Sequence, residues 1–193
     1  VSSAQPSGSP PGAGRVAVRP RRAGDLPALG EALLAQQPRS RYPFRNPLPV
    51  PTERFLHGHD ADAAWTAELG GRPVGHVCRT GPAQGSPDAD EVNAAAAAAH
   101  GCGPDRLAWV RSLFVAEQAR GLGVGRRLLD VVVADLRAHD LRPCLEVLPV
   151  HEAAVEMYAA AGWREVHRTR PAWLRDAAGS EGLEVRVLVL DGS

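Results

Sequence analysis

The sequence predicts one mixed α/β domain, and three observations carry that reading. The 193 residues, 44% of them hydrophobic and 23% charged, suffice for one moderate-sized domain with a real core. Segments of alternating hydrophobicity interleave with segments of helical period, but without the strict strand–helix alternation of a doubly wound sheet. Gly70-Gly71 joins two strand-like runs through two residues, which marks a tight hairpin and so an antiparallel pair.

Residues 1–14 hold Ser, Pro, Gly, Ala and Gln with hardly any apolar bulk. They cannot offset the entropy of ordering and are expected to form a disordered tail ahead of a domain at 15–193. Val16 and Val18 alternate in a short strand. Asp25 then precedes Leu26-Pro27, an N-cap followed by proline in the first turn, and predicts a helix to about Gln36. Five prolines between Pro38 and Pro51, interleaved with Arg39, Arg41, Tyr42, Phe44 and Arg45, make that linker a structured loop at best. The hairpin strands run about Ala63 to Leu69 and Pro73 to Arg79. An insertion from Thr80 to Arg106 contains the run Ala94 to Ala99, read as one or two marginal helical turns in a mobile segment. Leu107 to Val115 is a strongly apolar strand. Val124 to about His139 is a helix, with Gly125, Leu128, Leu129, Val132 and Leu136 on one face. Pro143 to Leu148 reads as a strand and His151 to Ala161 as a helix. Strands near Trp163 to Arg168 and Leu183 to Leu190 close the chain, separated by a polar loop containing Pro171, Asp176 and Gly179.

Composition excludes several function classes. Basic and acidic residues both number 22, so no bulk attraction to a nucleic-acid backbone or an anionic membrane is expected. No apolar run approaches the roughly 20 residues of a bilayer span, and no secretory signal pattern is visible. Cys78, Cys102 and Cys144 are odd in number and widely spaced, which argues against a disulfide framework or a zinc site and fits a reducing cytoplasm. Every basic residue is Arg. Schiff-base, lysine general-base and lysine P-loop chemistry are therefore absent.

The most informative stretch follows the apolar strand: Arg120-Gly121-Leu122-Gly123-Val124-Gly125-Arg126-Arg127. Glycines let backbone N–H groups approach a ligand, and the helix beginning there turns its unpaired N–H groups and positive dipole end to the same spot. That makes an anion cradle suited to a pyrophosphate, with three arginines around it. A bare glycine triplet reads equally well as a flexible turn with a close helix–strand contact.

Here the chain resembles the GCN5-related N-acetyltransferase (GNAT) superfamily. Its Q/R-x-x-G-x-G/A motif is matched by Arg120, Gly123 and Gly125, after a strand ending in L-x-V at Leu113 and Val115. The family's later pattern is matched by Leu145-Glu146-Val147, Tyr158 and Gly162-Trp163, except that His151 stands where Asn is usual. The resemblance is specific over about residues 107 to 168. It implies a single-domain fold with a mixed, mostly antiparallel central sheet flanked by helices. It also implies acetyl-CoA as cosubstrate, held by Leu113, Phe114, Val115, the run Arg120, Gly121, Leu122, Gly123, Val124, Gly125 and Arg126, and His151, with no metal.

Transfer of an acetyl group from a thioester to an amine needs a polarised carbonyl, a neutral amine and protonation of the departing thiolate. The resemblance implies that strand backbone at Leu113 to Val115 polarises the carbonyl. It makes Tyr158 the acid, although Ala154, Met157, Tyr158 and Ala161 also share a helix face, which would make Tyr158 a core aromatic. Glu146 is the first candidate base, because alternation turns it away from its apolar neighbours; an exposed strand carboxylate is the other reading. His76, His151 and Glu117 are reserves. The expected activity is transfer to a primary amine, of a small molecule or a peptide N-terminus, by direct attack in a ternary complex. The alternative is a non-catalytic acyl-CoA-binding regulatory module. The linker arginines with Tyr42 and Phe44 offer a site for a carboxylate-bearing acceptor or form a solvated basic loop, and a homodimer is left open.

Overall fold

The computed structural model describes residues 15–57, 61–179 and 181–191; the expected tail at 1–14 lies outside them. In chain order the elements are β1 (Val16–Pro20), α1 (Leu26–Ser40), α2 (Thr52–His57), β2 (Ala61–Leu69), β3 (Arg72–Thr80), α3 (Ala89–His100), β4 (Leu107–Val115), α4 (Val124–Ala138), β5 (Arg142–Val147), α5 (Glu152–Ala160), β6 (Trp163–Thr169), α6 (Ala172–Ala178) and β7 (Val185–Leu190). The seven strands form one sheet in the order β1-β2-β3-β4-β5-β7-β6. Among its pairings only β4 with β5 is parallel, and the others are antiparallel.

Side-chain alternation sends the strands' apolar residues to two faces. Val77, Ala108, Val110 and Leu145 pack with Leu128, Leu129, Val132 and Leu136 of α4, the helical face legible from the sequence. On the opposite face Leu107, Trp109, Cys144 and Val187 pack against Val92, Ala96 and Ala97 of α3. Farther along that face, Leu26, Leu29 and Leu33 of α1 and Leu56 of α2 enclose Phe114. The hairpin turn is as expected: Gly70 and Gly71 have φ of +59° and +81°, the left-handed pair a two-residue turn demands. Among the described residues, no helix is long and apolar enough to cross a membrane.

The structure departs from the sequence expectations in four places. Helix α1 continues past Gln36 to Ser40 with Pro38 inside it. Side chains support that last turn: the Ser40 hydroxyl donates to the Gln36 carbonyl at 3.1 Å, and the Gln36 amide to the Tyr42 carbonyl at 2.5 Å. The Thr80 to Arg106 insertion is not a mobile segment with marginal turns, because α3 is a twelve-residue helix docked on the sheet. Asn93 locks it there by accepting from the Trp109 indole N–H and bonding Ala83 N–H and carbonyl, all at 2.9–3.0 Å. The polar loop after β6 contains α6, with Pro171 at its N-cap, where a missing N–H costs nothing. Finally, Asp25 does precede α1, but its carboxylate makes no capping bond to that helix.

Asp25 instead ties the start of the chain to the sheet. Its carboxylate receives both Arg19 Nη groups at 2.7 and 2.8 Å, the Arg22 backbone N–H at 2.7 Å and the Thr66 hydroxyl at 2.9 Å. These bonds, Arg19 first, hold its carboxyl well below the usual range despite burial. A depressed carboxyl stabilises the fold above the unfolded-chain value of about 3.9, and the contribution is lost as pH falls through the folded value. Asp25→Asn is expected to cost about 2–3 kcal/mol at neutral pH. In urea titrations the gap between variant and wild type should narrow progressively as the pH is lowered from 5 to 2.

Candidate active site

The site begins where two parallel strands stop pairing. β4 and β5 run in register from Leu107↔Arg142 to Val110↔Leu145 and no farther. Beyond that point the β5-facing edge of residues 111–115 has no strand partner among the described residues, and a cleft of about 1050 Å³ opens between the strands. A bulge on β4 shapes this opening: pairing with β3 skips between His76↔Phe114 and Cys78↔Arg111, and Ser112 has φ +52°. His76 holds the bulge by donating Nδ1–H to the Ser112 carbonyl at 3.0 Å, while its Nε2 accepts from Arg21 at 3.1 Å.

One end of the cleft is the glycine loop. Gly121 and Gly123 have φ of +76° and +72°, and a Cβ built on either meets open space rather than protein. The first helical bond of α4 runs from Arg127 N–H to the Gly123 carbonyl. The N–H groups of Val124, Gly125 and Arg126 therefore precede it without intrahelical partners. Gly125 serves packing instead, since a Cβ there would lie 3.2 Å from Met157 Sδ on α5. The surrounding arginines are already engaged: Arg120 donates to Gln36 Oε1 at 2.7 Å, Arg126 pairs with Asp130, and Arg127 turns to the Val16 carbonyl. Backbone N–H groups and the helix dipole thus give the cradle positive character, beside Arg120 and Arg126, which also line the cleft. Leu113, Phe114, Val115, Arg120, Gly121, Gly123, Val124, Gly125, Arg126 and His151 all line this cleft. Leu122 points to solvent, 50% exposed.

Tyr158 and Glu146 line the same cleft. Tyr158 is a core aromatic, its ring 6.0 Å from Trp163, and the same residue reaches the cleft wall. Its hydroxyl has no hydrogen-bond partner among the described residues, and burial pushes its ionisation upward, so the phenol keeps its proton. Glu146 lies on the opposite face from Leu145 and Val147, which join the α4 cluster. Its carboxylate is 3.5 Å from Arg111 Nη1 with about a quarter of the side chain exposed. Burial raises its pKa, opposed by the Arg111 guanidinium.

Of the reserve bases, His76 and Glu117 lie outside the cleft lining and only His151 is on it. His76 is fully buried with both ring nitrogens engaged, and burial lowers its pKa to about 4. Glu117 is ion-paired with exposed Arg39; Arg39 belongs to the cleft lining and Glu117 does not. His151 donates from Nε2 to the Arg41 carbonyl at 3.2 Å and stacks edge-on against Tyr42 at 5.5 Å. It fastens the linker to the start of α5. Linker residues Arg39 and Arg41 are spent on Glu117 and Glu181.

Sequence reasoning missed several wall residues: Trp109, Arg111, Thr80 and Trp173 all line the cleft. Arg111 left a signal, as the one charge in the apolar run Leu107 to Val115.

The model of the Acetyltransferase (GNAT) family matches residues 31–163. No curated protein sequence matches. Among solved structures, a GCN5-related N-acetyltransferase from Kribbella flavida is 16% identical, with TM-score 0.64 over 92% of this chain and 98% of that one. The ribosomal-protein-S18-alanine N-acetyltransferase of Escherichia coli is 15% identical, with TM-score 0.61 over 93% and 96%. Arabidopsis thaliana NAA60, solved with a bisubstrate analogue, is 18% identical, with TM-score 0.62 over 93% and 100%.

The open space at Gly123 gives a direct test of the cradle. Gly123→Val places a branched side chain there at a positive φ, and coenzyme A affinity by titration calorimetry should fall at least about tenfold, or 1.4 kcal/mol. Unchanged affinity in a variant with native circular dichroism would reject the cradle.

Proposed function

Because the chain belongs to the GNAT acetyltransferase family, we propose that it moves an acetyl group from acetyl-CoA to a primary amine by direct attack in a ternary complex. The observation that carries this reading is that one cleft, opened by the parting of β4 and β5, contains the glycine cradle, an unpaired strand edge, Tyr158 and Glu146.

The residues fit the cosubstrate. The N–H groups at the start of α4 and the open space at Gly121 and Gly123 would hold the pyrophosphate, and the free edge of residues 111–115 would take the pantetheine arm in strand fashion. Acetyl-CoA supplies an electrophilic thioester carbonyl and a thiolate leaving group. The β4 edge orients the carbonyl and offers it backbone N–H groups. Glu146 takes the proton released by the amine, a role that its upward-shifted carboxyl suits. Tyr158 delivers its hydroxyl proton to the sulfur and regains one from solvent. His151 contributes to acceptor access through the linker rather than by proton transfer, as its bond to Arg41 suggests. The feature that favours the non-catalytic alternative is His151 standing where Asn is usual, and the linker bond gives that replacement a structural use. Release of thiol from acetyl-CoA in the presence of an amine panel tests the proposal; binding of the cosubstrate without release with any amine would favour the binding module.

Two substitutions test the roles. Tyr158→Phe keeps the ring on Trp163 and removes only the hydroxyl, so turnover should fall by roughly 10²-fold with little change in melting temperature. Full activity would return Tyr158 to core packing alone. Glu146 acts when ionised, so kcat/KM should rise with pH through its carboxyl's pKa and then level off. Glu146→Gln should preserve coenzyme A binding, lower kcat/KM and remove that ascending limb. A limb that persists and shifts with the pKa of the acceptor would belong to the acceptor amine, and Glu146 would then serve only as partner to Arg111.

A further inference from the structure

The acceptor side of the cleft pairs a cation with the candidate base. Arg111 and Glu146 are the first residues of β4 and β5 beyond the last paired residues, Val110↔Leu145, and both line the cleft. Each stands on the α3 face of the sheet, Arg111 two residues after Trp109 and Glu146 two after Cys144. Their contact is loose, at 3.5 Å, and their side chains are 39% and 26% exposed. Arg111 is otherwise steadied by Thr80 Oγ1, 3.3 Å from its Nε, and by the Trp109 ring, 5.7 Å from its guanidinium carbon. Its Nη2 has no protein partner among the described residues. The planar fork is therefore held from one edge while donors remain for a second carboxylate.

The same cleft has an apolar wall as well: Phe44, Leu48, Leu148, Val150 and Trp173 are among its lining residues. Phe44 is seated in a small cluster with Leu148 and Leu174, so the linker and α6 form one wall. Of the three linker arginines that were candidates for a carboxylate, Arg39 and Arg41 are paired with Glu117 and Glu181, while Arg45 is exposed and lines the cleft without the neighbouring carboxylate that Arg111 has.

An adjacent guanidinium and carboxylate with spare bonding capacity match a ligand carrying an ammonium and a carboxylate on one carbon. Resting on the acetyltransferase reading, we propose that the acceptor is a free α-amino acid with an apolar side chain. Its carboxylate is held by Arg111, its amine is presented to Glu146, and its side chain lies against the Phe44–Trp173 wall. In the transfer the amine nitrogen bonds the acetyl carbon, the carbon–sulfur bond breaks, and the nitrogen's proton passes to Glu146 while sulfur receives one from Tyr158. A peptide N-terminus would bring a neutral carbonyl where Arg111 offers a charged fork, forgoing the charge-assisted pair.

The test compares L-leucine and L-phenylalanine with their amides and with dipeptides that begin with the same residues, measuring thiol release from acetyl-CoA by wild type and by Arg111→Gln. Wild type should prefer the free acids by at least about tenfold in kcat/KM, mainly through KM. In Arg111→Gln the ratio of acid to amide should fall toward one. Amides or dipeptides accepted as well as the free acids by wild type would overturn the amino-acid assignment and leave the acetyltransferase reading intact. A ratio unchanged in Arg111→Gln would also overturn it. Cosubstrate binding without thiol release from any acceptor would overturn both.

Discussion

A single hydrogen bond inside the sheet sets the geometry of everything around the cleft. The Ser112 carbonyl sits in a bulge at positive φ, and the neutral imidazole of His76 holds it there. Uninterrupted alternation from Trp109 and Arg111 would send Phe114 to the α4 face. With one residue added, Phe114 turns instead into the α1–α2 cluster, while Leu113 and Val115 join the α4 side. Beyond the bulge β4 no longer pairs with β5. Arg21 completes the arrangement: it donates to His76 Nε2 and to the Leu56 carbonyl at 2.5 Å, so α2, β3 and the bulge share one buried network. Burial, with the Arg21 charge adding to it, keeps the ring uncharged at neutral pH, and the tautomer is fixed from both sides.

The parted strands give the cleft two chemically different ends. Toward α4 it is lined by glycines and backbone N–H groups, an environment that favours anions without spending side chains on them. Toward α3 and α6 it is lined by aromatic and aliphatic residues, interrupted by Arg111 and Glu146. Tyr158 belongs to neither end; its ring is anchored in the main core and its hydroxyl has no hydrogen-bond partner among the described residues. The linker from α1 closes the second end through unlike contacts: exposed ion pairs to Glu117 and Glu181, the His151 bond, and Phe44 in the α6 cluster. Exposed pairs of this kind contribute little and weaken with salt, so the linker is held chiefly by the apolar seats of Tyr42 and Phe44.

What was legible in the sequence was what repeats or what geometry forces. The α4 face announces itself by its period, the β2–β3 hairpin by Gly70-Gly71, and the cradle by glycines placed between an apolar strand and a helix. Helix α3 was hard to read because its alanines are small and apolar all round. What docks it is a polar residue, Asn93, whose partners Ala83 and Trp109 lie outside the helix. Pro38 and Pro171 read as breakers, yet one rides in a terminal turn braced by Ser40 and Gln36, and the other stands just ahead of a helix. The bulge at Ser112 left no local mark, since the histidine that imposes it is 36 residues away. Glu146, Tyr158 and the glycine loop were visible, and the structure places them on one cleft. Arg111 was visible only as a charge out of place, and its meaning came from the neighbour supplied by β5.

Among the charged groups that line the cleft, every cation is a guanidinium, as everywhere in a chain that has no lysine. A lysine at position 111 would be a primary amine within reach of a carboxylate able to take its proton, on the wall where an activated acyl group would be presented. It would compete with any incoming acceptor and acylate in its place. A guanidinium keeps its proton and stays non-nucleophilic at any pH the fold survives, so the cleft can hold a positive charge beside Glu146 without exposing the protein to modification by its own chemistry.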